Sequence, residues 1–353
     1  MTDERSSHSS WPGIETLPIP PSGRTGWPWT VGTPAVDVAG TPWPRISVVT
    51  PSYNQAGFLE ETLRSVLLQG YPALEYFVID GGSTDSSIEI IRRYAPWLTG
   101  WVSEPDHGQT HAINKGFARA TGEIFCFLNS DDTLEPGALF AVARAFQAAP
   151  GAAIVIGACE VFDEVKGTQR LRQGRWHGTA RGFLPVLSLG FAQQSSFWRA
   201  ELYRALGGFD ETFHYSFDRE YFLRAALHGA QAVTIDQVLS RFRLHGLSKT
   251  GHQGRGFVED SRRIIVAHGV ACGLVKREQW RAVMDVDLLL MRSLFWELFS
   301  SSGLLRASLT WASHGLRKPA LLLERRFVTL PVEGVNSRLI SLFRRLRAST
   351  ARL

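Results

Sequence analysis

The sequence predicts an α/β protein in which a mostly parallel sheet is flanked by helices and followed by a C-terminal helical extension. Three observations carry that expectation. Between residues 45 and 132, four short apolar runs alternate with stretches of helical apolar spacing, and such alternation requires parallel strands joined by right-handed crossovers. Each run ends in a loop rich in Pro, Ser, Asn, Asp or Gly, so all four loops open on one edge of the sheet, where ligands of open α/β folds sit. Beyond residue 254 the composition turns helical and basic.

In order along the chain, residues 1–44 hold Pro, Gly, Ser and Thr with the isolated rings Trp11, Trp27, Trp29 and Trp43. They show no period of 2 or 3.6 and read as an irregular arm whose tryptophans can pack on the body. The first strand, 45–50, ends in Pro51-Ser52-Tyr53-Asn54, after which Phe58, Leu59, Thr62, Leu63, Val66 and Leu67 recur at helical spacing. The unit repeats: strand 75–79, the loop Asp80-Gly81-Gly82-Ser83-Thr84-Asp85, then a helix carrying Ile88, Ile91 and Tyr94. A third strand, 100–103, runs into Glu104-Pro105-Asp106-His107-Gly108 and a helix over 111–120. The fourth, 124–128, is apolar without a break, as a strand covered on both faces reads, and stops at Asn129-Ser130-Asp131-Asp132. After Pro150 the pattern loosens. It predicts a strand over 153–161, a polar stretch over 170–181 and an extended segment over 190–198. Helices over 200–206 and 216–228 flank Gly207-Gly208-Phe209-Asp210, and 230–245 returns to strand character. These shifts divide the chain into an arm (1–44), a main domain (45–250) and a basic amphipathic helical tail (251–353).

Composition removes several classes of function. Cys126, Cys159 and Cys272 are too few and too scattered for a disulfide framework or a zinc site, which favours a reducing compartment. The first residues hold acids and no apolar core segment, so neither a signal peptide nor an N-terminal anchor is expected, and the chain is placed in the cytoplasm. Net charge is +5, but residues 1–254 carry 21 Lys+Arg against 25 Asp+Glu, whereas 255–353 carry 17 against 8. An acidic body argues against nucleic acid as a partner. In the tail, the apolar window 288–299 is shorter than the ~20 residues that cross a bilayer. The helix over 337–347 sets Leu339, Leu342, Phe343 and Leu346 opposite arginines, which suits either a peripheral contact at the inner face of a membrane or docking on the body.

Two adjacent carboxylates at a buried strand's end are the clearest chemical signal. Asp131 and Asp132 can hold a divalent cation or a sugar hydroxyl there, although Asp132 can equally cap a helix over 136–148. One acid suffices for a cap, so Asp131 is assigned to chemistry.

Taken together, Val48-Val49-Thr50-Pro51-Ser52-Tyr53-Asn54, Asp80 to Asp85, Glu104 to Gln109 with Asn114-Lys115-Gly116, Leu128 to Asp132, and Gly207-Gly208-Phe209-Asp210 before Asp218-Arg219-Glu220 resemble the family 2 glycosyltransferases of GT-A fold, of the kind that builds bacterial surface polysaccharide. The resemblance covers about residues 45–250. It implies a Rossmann-like sheet and a nucleotide-diphosphate-sugar donor lying across the strand ends, with a glycan or polyprenyl-linked acceptor. It further implies that Thr50, Pro51 and Tyr53 border the nucleobase, that Asp80 accepts from the base's imide N–H, and that Asn129 bonds a ribose hydroxyl. Gln109, Asn114 and Lys115 would line the sugar and ribose. Mg²⁺ or Mn²⁺ would sit at Asp131, with Asp132 and His245 as further ligands, although the family's first motif acid is here Asn129. Asp218 would be the base of an inverting transfer, its affinity for protons raised by burial or by Glu220. Gln193, Gln194 and Trp198 would face the acceptor. Read without the resemblance, Asp80 is a turn residue bonding its own backbone, Asp85 a helix cap, Asp218 a partner of Arg219 or Arg224, and the whole a non-catalytic carbohydrate binder. A sugar nucleotidyltransferase would need a Gly-rich basic loop after the first strand, and 51–55 has none.

Overall fold

In the computed structural model, residues 12–34, 42–164, 166–184, 189–246, 254–279, 281–283 and 286 are described. The chain divides into two compact units, residues 1–252 and 253–353. Within the second, the described part is helical, with α7 (Gly254–His268) as its main element. Trp11, the window 288–299 and the helix expected over 337–347 lie outside the described residues. Among the described residues, no helix is long and apolar enough to cross a membrane.

The first unit is organised by one sheet of nine strands. They are β1 (Ile46–Ser52), β2 (Leu74–Asp80), β3 (Gly100–Ser103), β4 (Ile124–Phe127), β5 (Thr133–Leu134), β6 (Ile154–Asp163), β7 (Thr168–Arg172), β8 (Ser196–Arg199) and β9 (Ala232–Leu244). The order is β3-β2-β1-β4-β8-β6-β9-β5, with β7 paired to β6. Every residue of β1 and β4 is buried, which explains why neither alternates polar and apolar side chains. The helices are α1 (Ala56–Leu67), α2 (Ser87–Tyr94), α3 (Gln109–Phe117), α4 (Ala138–Ala148), α5 (Ala200–Ala205) and α6 (Phe217–Leu227). Helix α3 lies directly on β1, because a Cβ at Gly116 would fall 2.4 Å from Val49 Cγ1.

Strand direction builds the rim. β1, β2, β3 and β4 are parallel, so Ser52, Asp80 and Ser103 finish in register at one edge. β8 runs antiparallel to β4, which brings its start to that edge, and β6 and β9 end there with Asp163 opposite Leu244. The four expected loops do share one side. Two expectations shift. Thr133–Leu134 forms β5 against β9 instead of leading a helix, and α4 starts only after Gly137, whose φ of 77° belongs to the left-handed region. The polar stretch after 168 begins as β7, a hairpin partner of β6.

The arm is fastened by a buried cation. Arg64 of α1 donates to the carbonyls of Pro18, Pro28 and Trp29 and to the Tyr94 hydroxyl. The Trp27 indole donates to the Leu134 carbonyl at 2.9 Å, and Trp43 packs edge-on against Tyr71 and Phe140. Arg64→Ala is expected to cost about 3 kcal/mol, since it strips three buried carbonyls and a hydroxyl of a charged donor. Denaturant unfolding checks this, and a loss under about 1 kcal/mol would mean the arm is not held this way.

Candidate active site

At the end of β4 the two neighbouring acids part company. The Asp132 carboxylate is buried and accepts from the Arg243 backbone N–H at 3.0 Å, the Gln194 amide at 2.8 Å and the Asn129 amide at 3.2 Å. Burial first, and the charge of Asp131 second, push its carboxyl well above the usual carboxylate range. Asp132 is therefore a brace between β9 and the start of β8, not the metal ligand expected of it. Asp131 points the other way. Its side chain keeps 17% of its surface open, and its Oδ2 meets His245 Nε2 at 3.0 Å. The His245 ring lies against Phe58 with centroids 4.3 Å apart, just beyond the end of β9. Arg243 holds that strand end in place, donating to the Asp131 carbonyl and pairing with Glu61 and Glu164. Nearby, the Gln109 amide donates to Asn129 Oδ1 at 2.6 Å, so the start of α3 is tied to the same loop.

The β1 and β2 loops form the adjoining part of the rim. Asp80 is wholly buried and accepts from the Gly82 and Ser83 N–H groups and from the Ser83 and Ser103 hydroxyls, the last at 2.7 Å. It bonds its own turn, with three donors on Oδ2 and the Ser83 hydroxyl on Oδ1, so Oδ1 is the oxygen with room for a further donor. Tyr53 is 60% exposed on the tip of the β1 loop. Asn54 beside it adopts φ 52°, and its side chain accepts from the Thr84 N–H at 2.8 Å, joining the two loops. The cap position of α2 falls to Ser86, not to Asp85 as expected; Asp85, one residue earlier, accepts from Ser87 N–H and also from Ala56 N–H at the start of α1. Thr50 departs from expectation: it is fully buried and shares a hydrogen bond with the Tyr76 hydroxyl at 3.0 Å, so its side chain serves the core. Pro51 is buried in the same strand. Ser52 was not foreseen. Its hydroxyl is buried at the strand end next to Asp80 in register, with no hydrogen-bond partner among the described residues.

Asp218 sits in the first turn of α6, where the helix dipole favours a carboxylate. Phe217 beside it packs on Phe127, the last residue of β4, at 5.7 Å between centroids, which brings Asp218 to the same rim. Its carboxyl is pushed up to about 6. Burial is the main cause, opposed by the Arg219 N–H bond and by the charges of Arg219 and Arg172. Glu220 has no part in this. It is buried and paired with Arg224 at 2.7 Å, so the expected help from Glu220, and the alternative pairing of Asp218 with Arg224, both give way to that ion pair. Arg172, at the end of β7, is a second unforeseen member: it interacts electrostatically with Asp218 and with Cys159, and Cys159 in turn with Asp132.

Four further residues serve the scaffold instead of a ligand. Asn114 is spent on the Gly207–Glu211 turn, donating to the Phe209 carbonyl and Glu211 and accepting from the Tyr203 hydroxyl and Phe209 N–H. That turn needs both glycines, at φ 75° and 80°, and a Cβ on Gly208 would come 2.9 Å from the Tyr203 hydroxyl oxygen. Trp198 is fully buried in β8 among Phe117, Phe127, Phe209, Tyr221 and Phe222, so it cannot face an acceptor. Gln193 donates to the Phe127 carbonyl at 2.8 Å and is buried like Gln194. Lys115 pairs with Glu104 at 2.5 Å and holds that carboxylate below its usual range.

An α/β sheet of this order, with carboxylates and an exposed aromatic along one rim, is the GT-A class of fold. Solved structures agree: TarS 1–349 of S. aureus in complex with UDP-GlcNAc matches with a TM-score of 0.55 at 19% identity, over 74% of this chain and 79% of that one. The mannosyltransferase PcManGT from Pyrobaculum calidifontis, in complex with GDP-Man and Mn²⁺, matches with a TM-score of 0.50 at 22% identity, over 83% and 87%. Sequence relatives are closer. An uncharacterized glycosyltransferase of Mycobacterium tuberculosis is 35% identical over 209 residues, which cover 58% of this chain and 77% of that protein. A putative teichuronic acid biosynthesis glycosyltransferase of Bacillus subtilis, TuaG, is 38% identical over 96 residues, 26% of this chain and 38% of that one. The family described as Glycosyl transferase family 2 matches residues 47–212. The chain belongs to that family.

Proposed function

We propose that the chain is an inverting, metal-assisted glycosyltransferase that moves a sugar from a nucleotide-diphosphate sugar to a hydroxyl of a cell-surface glycan or its polyprenyl-linked precursor. The observation that carries the reading is Asp218: a carboxylate drawn up toward neutral pH, beside the end of β4 whose loop displays Asp131. A base for an acceptor hydroxyl needs an affinity for protons near the operating pH, and ordinary Asp falls about three pH units short of neutral.

Chain residues divide the work. Tyr53 stacks on the nucleobase, and Asp80 Oδ1 accepts its imide-type N–H, which uracil and guanine both offer. Asn129 and Gln109 bond ribose, Ser52 supplies a hydroxyl near the strand end, and Asp131 with His245 can hold a divalent cation. The donor set fits one, since an open carboxylate with an adjacent imidazole leaves further positions for phosphate oxygens. A bound cation would neutralise charge on the departing diphosphate. Asp218 takes the acceptor proton as the acceptor oxygen attacks the anomeric carbon, and the bond from that carbon to the diphosphate breaks on the opposite face.

The acceptor class is drawn from the relatives, named for teichuronic acid biosynthesis in B. subtilis and for PGL/p-HBAD biosynthesis in M. tuberculosis. We also assign the basic residues after 255 to contact with an anionic membrane surface bearing such an acceptor. A thermal-shift panel of nucleotide sugars with Mn²⁺ tests the reading. A cognate donor at ~100 times its dissociation constant should stabilise by about 2.7 kcal/mol. The same donor should release its nucleoside diphosphate in the presence of Mn²⁺. Stabilisation without release by the wild type would instead make the chain a sugar-nucleotide binder.

A further inference from the structure

Away from Asp131, three metal-ligating side chains come together from distant parts of the chain. One ligand atom each from His107, His111 and Glu211 lies within 4.8 Å of the others. We propose that these residues form a second cation site, of the zinc class, which clips the loop after β3 to the turn before α6.

The geometry supports this. His107 lies in the loop before α3 and His111 in its first turn, and the turn at Gly108, φ 109°, brings their rings together without a shared helical face. Their rings stack at 4.8 Å with an interplanar angle of 18°. The His107 backbone N–H donates to His111 Nδ1 at 3.1 Å, which ties that ring to the loop before α3. The third ligand is also held: the Asn114 amide donates to Glu211 Oε1 at 2.9 Å, and Asn114 is itself fixed by the Tyr203 hydroxyl at 2.7 Å. Carboxylate ligands oriented by an outer hydrogen bond are a regular feature of metal sites. Asn114, removed above from the sugar-binding set, thereby acquires a purpose.

The ligand set decides the ion. Two imidazoles and one carboxylate, with a fourth position open, suit Zn²⁺ and its neighbours in the transition series, whereas Mg²⁺ demands oxygen. Tetrahedral bonds of ~2.1 Å place donors about 3.4 Å apart, so the cluster must close by roughly an ångström. His107 is exposed and free to swing that far. Without an ion, exposed side chains of this kind gain little from meeting. The clip joins functional halves of the rim, because one end leads into Gln109, bonded to Asn129, and the other runs on to α6 and Asp218.

The test reads metal occupancy, so it is independent of whether the chain transfers sugar. Untagged full-length protein is stripped with a chelator and titrated with Zn²⁺ alone against a chromophoric competitor. Wild type and Asp131→Asn should both bind an ion that the His107→Gln/His111→Gln double variant holds about 100-fold more weakly. Zn²⁺ should raise Tm in the first two proteins and not in the double variant. Glu211→Gln, which keeps both imidazoles, provides a second readout and should weaken binding by about tenfold. Equal Zn²⁺ affinity in wild type and the double variant, or loss of all Zn²⁺ binding in Asp131→Asn, would overturn the proposal.

Discussion

Asp218→Asn is expected to lower kcat by about 10²–10⁴-fold while leaving donor affinity unchanged, because it removes the proton acceptor and keeps the shape of the side chain. The pH profile separates this from a folding defect. For wild type, kcat/KM should rise tenfold per pH unit below about 6 and level off above, since a base acts only when deprotonated and burial holds this carboxyl at about 6. The variant should show no such limb. Stability moves the opposite way. A carboxyl whose folded pKa lies above its unfolded value binds its proton more tightly in the fold, so wild type loses stability as pH rises through about 6. Asn cannot ionise, and the variant should be more stable than wild type at pH 8 by on the order of 1 kcal/mol, discounted for partial solvent contact. A variant retaining more than about a tenth of wild-type kcat would remove Asp218 from the base role.

The second large effect belongs to the end of β4. Asp131→Ala should cost about 10²–10³-fold in kcat and shift half-saturation by Mn²⁺ upward at least tenfold, because it removes the partly open carboxylate that meets His245. Fold stability should change little, since that side chain faces the rim. Asp132→Ala provides the contrast. It leaves the Arg243 N–H and two amides without their acceptor, so the protein should lose stability before it loses metal affinity. If the two substitutions exchanged phenotypes, the division of labour described for these neighbours would be reversed.

Much of the architecture could be read directly, because each of the first four strands is a short, mostly apolar run closed by a distinct polar loop. The rim follows from strand direction alone. What could not be read depended on which face a side chain takes. Asp131 and Asp132 look alike in sequence, yet β5 turns back to pair with β9 at once, and that bend sends Asp132 inward and Asp131 outward. A two-residue strand has no detectable period. Trp198 offers an aromatic plane suited to sugar, but β8 lies between β4 and β6, where such a ring can only be core. Asn114 and Gln194 carry amides of the kind that bind carbohydrate, and tertiary hydrogen bonds to the turn before α6 and to Asp132 claim them first. Arg172 and the approach of Glu211 to His107 and His111 join segments far apart in sequence, and no local pattern announces them.

All of these assignments require one donor pocket shared by the β1, β2 and β4 loops and the start of α6. Crystals grown with Mn²⁺ and the cognate nucleotide sugar, measured at the manganese edge, test that requirement directly. The account predicts an anomalous peak on the Asp131 carboxylate, the nucleobase against Tyr53, and the anomeric carbon between the diphosphate and Asp218. A nucleotide sugar bound with Asp218 remote from its anomeric carbon, or with manganese away from Asp131, would contradict it.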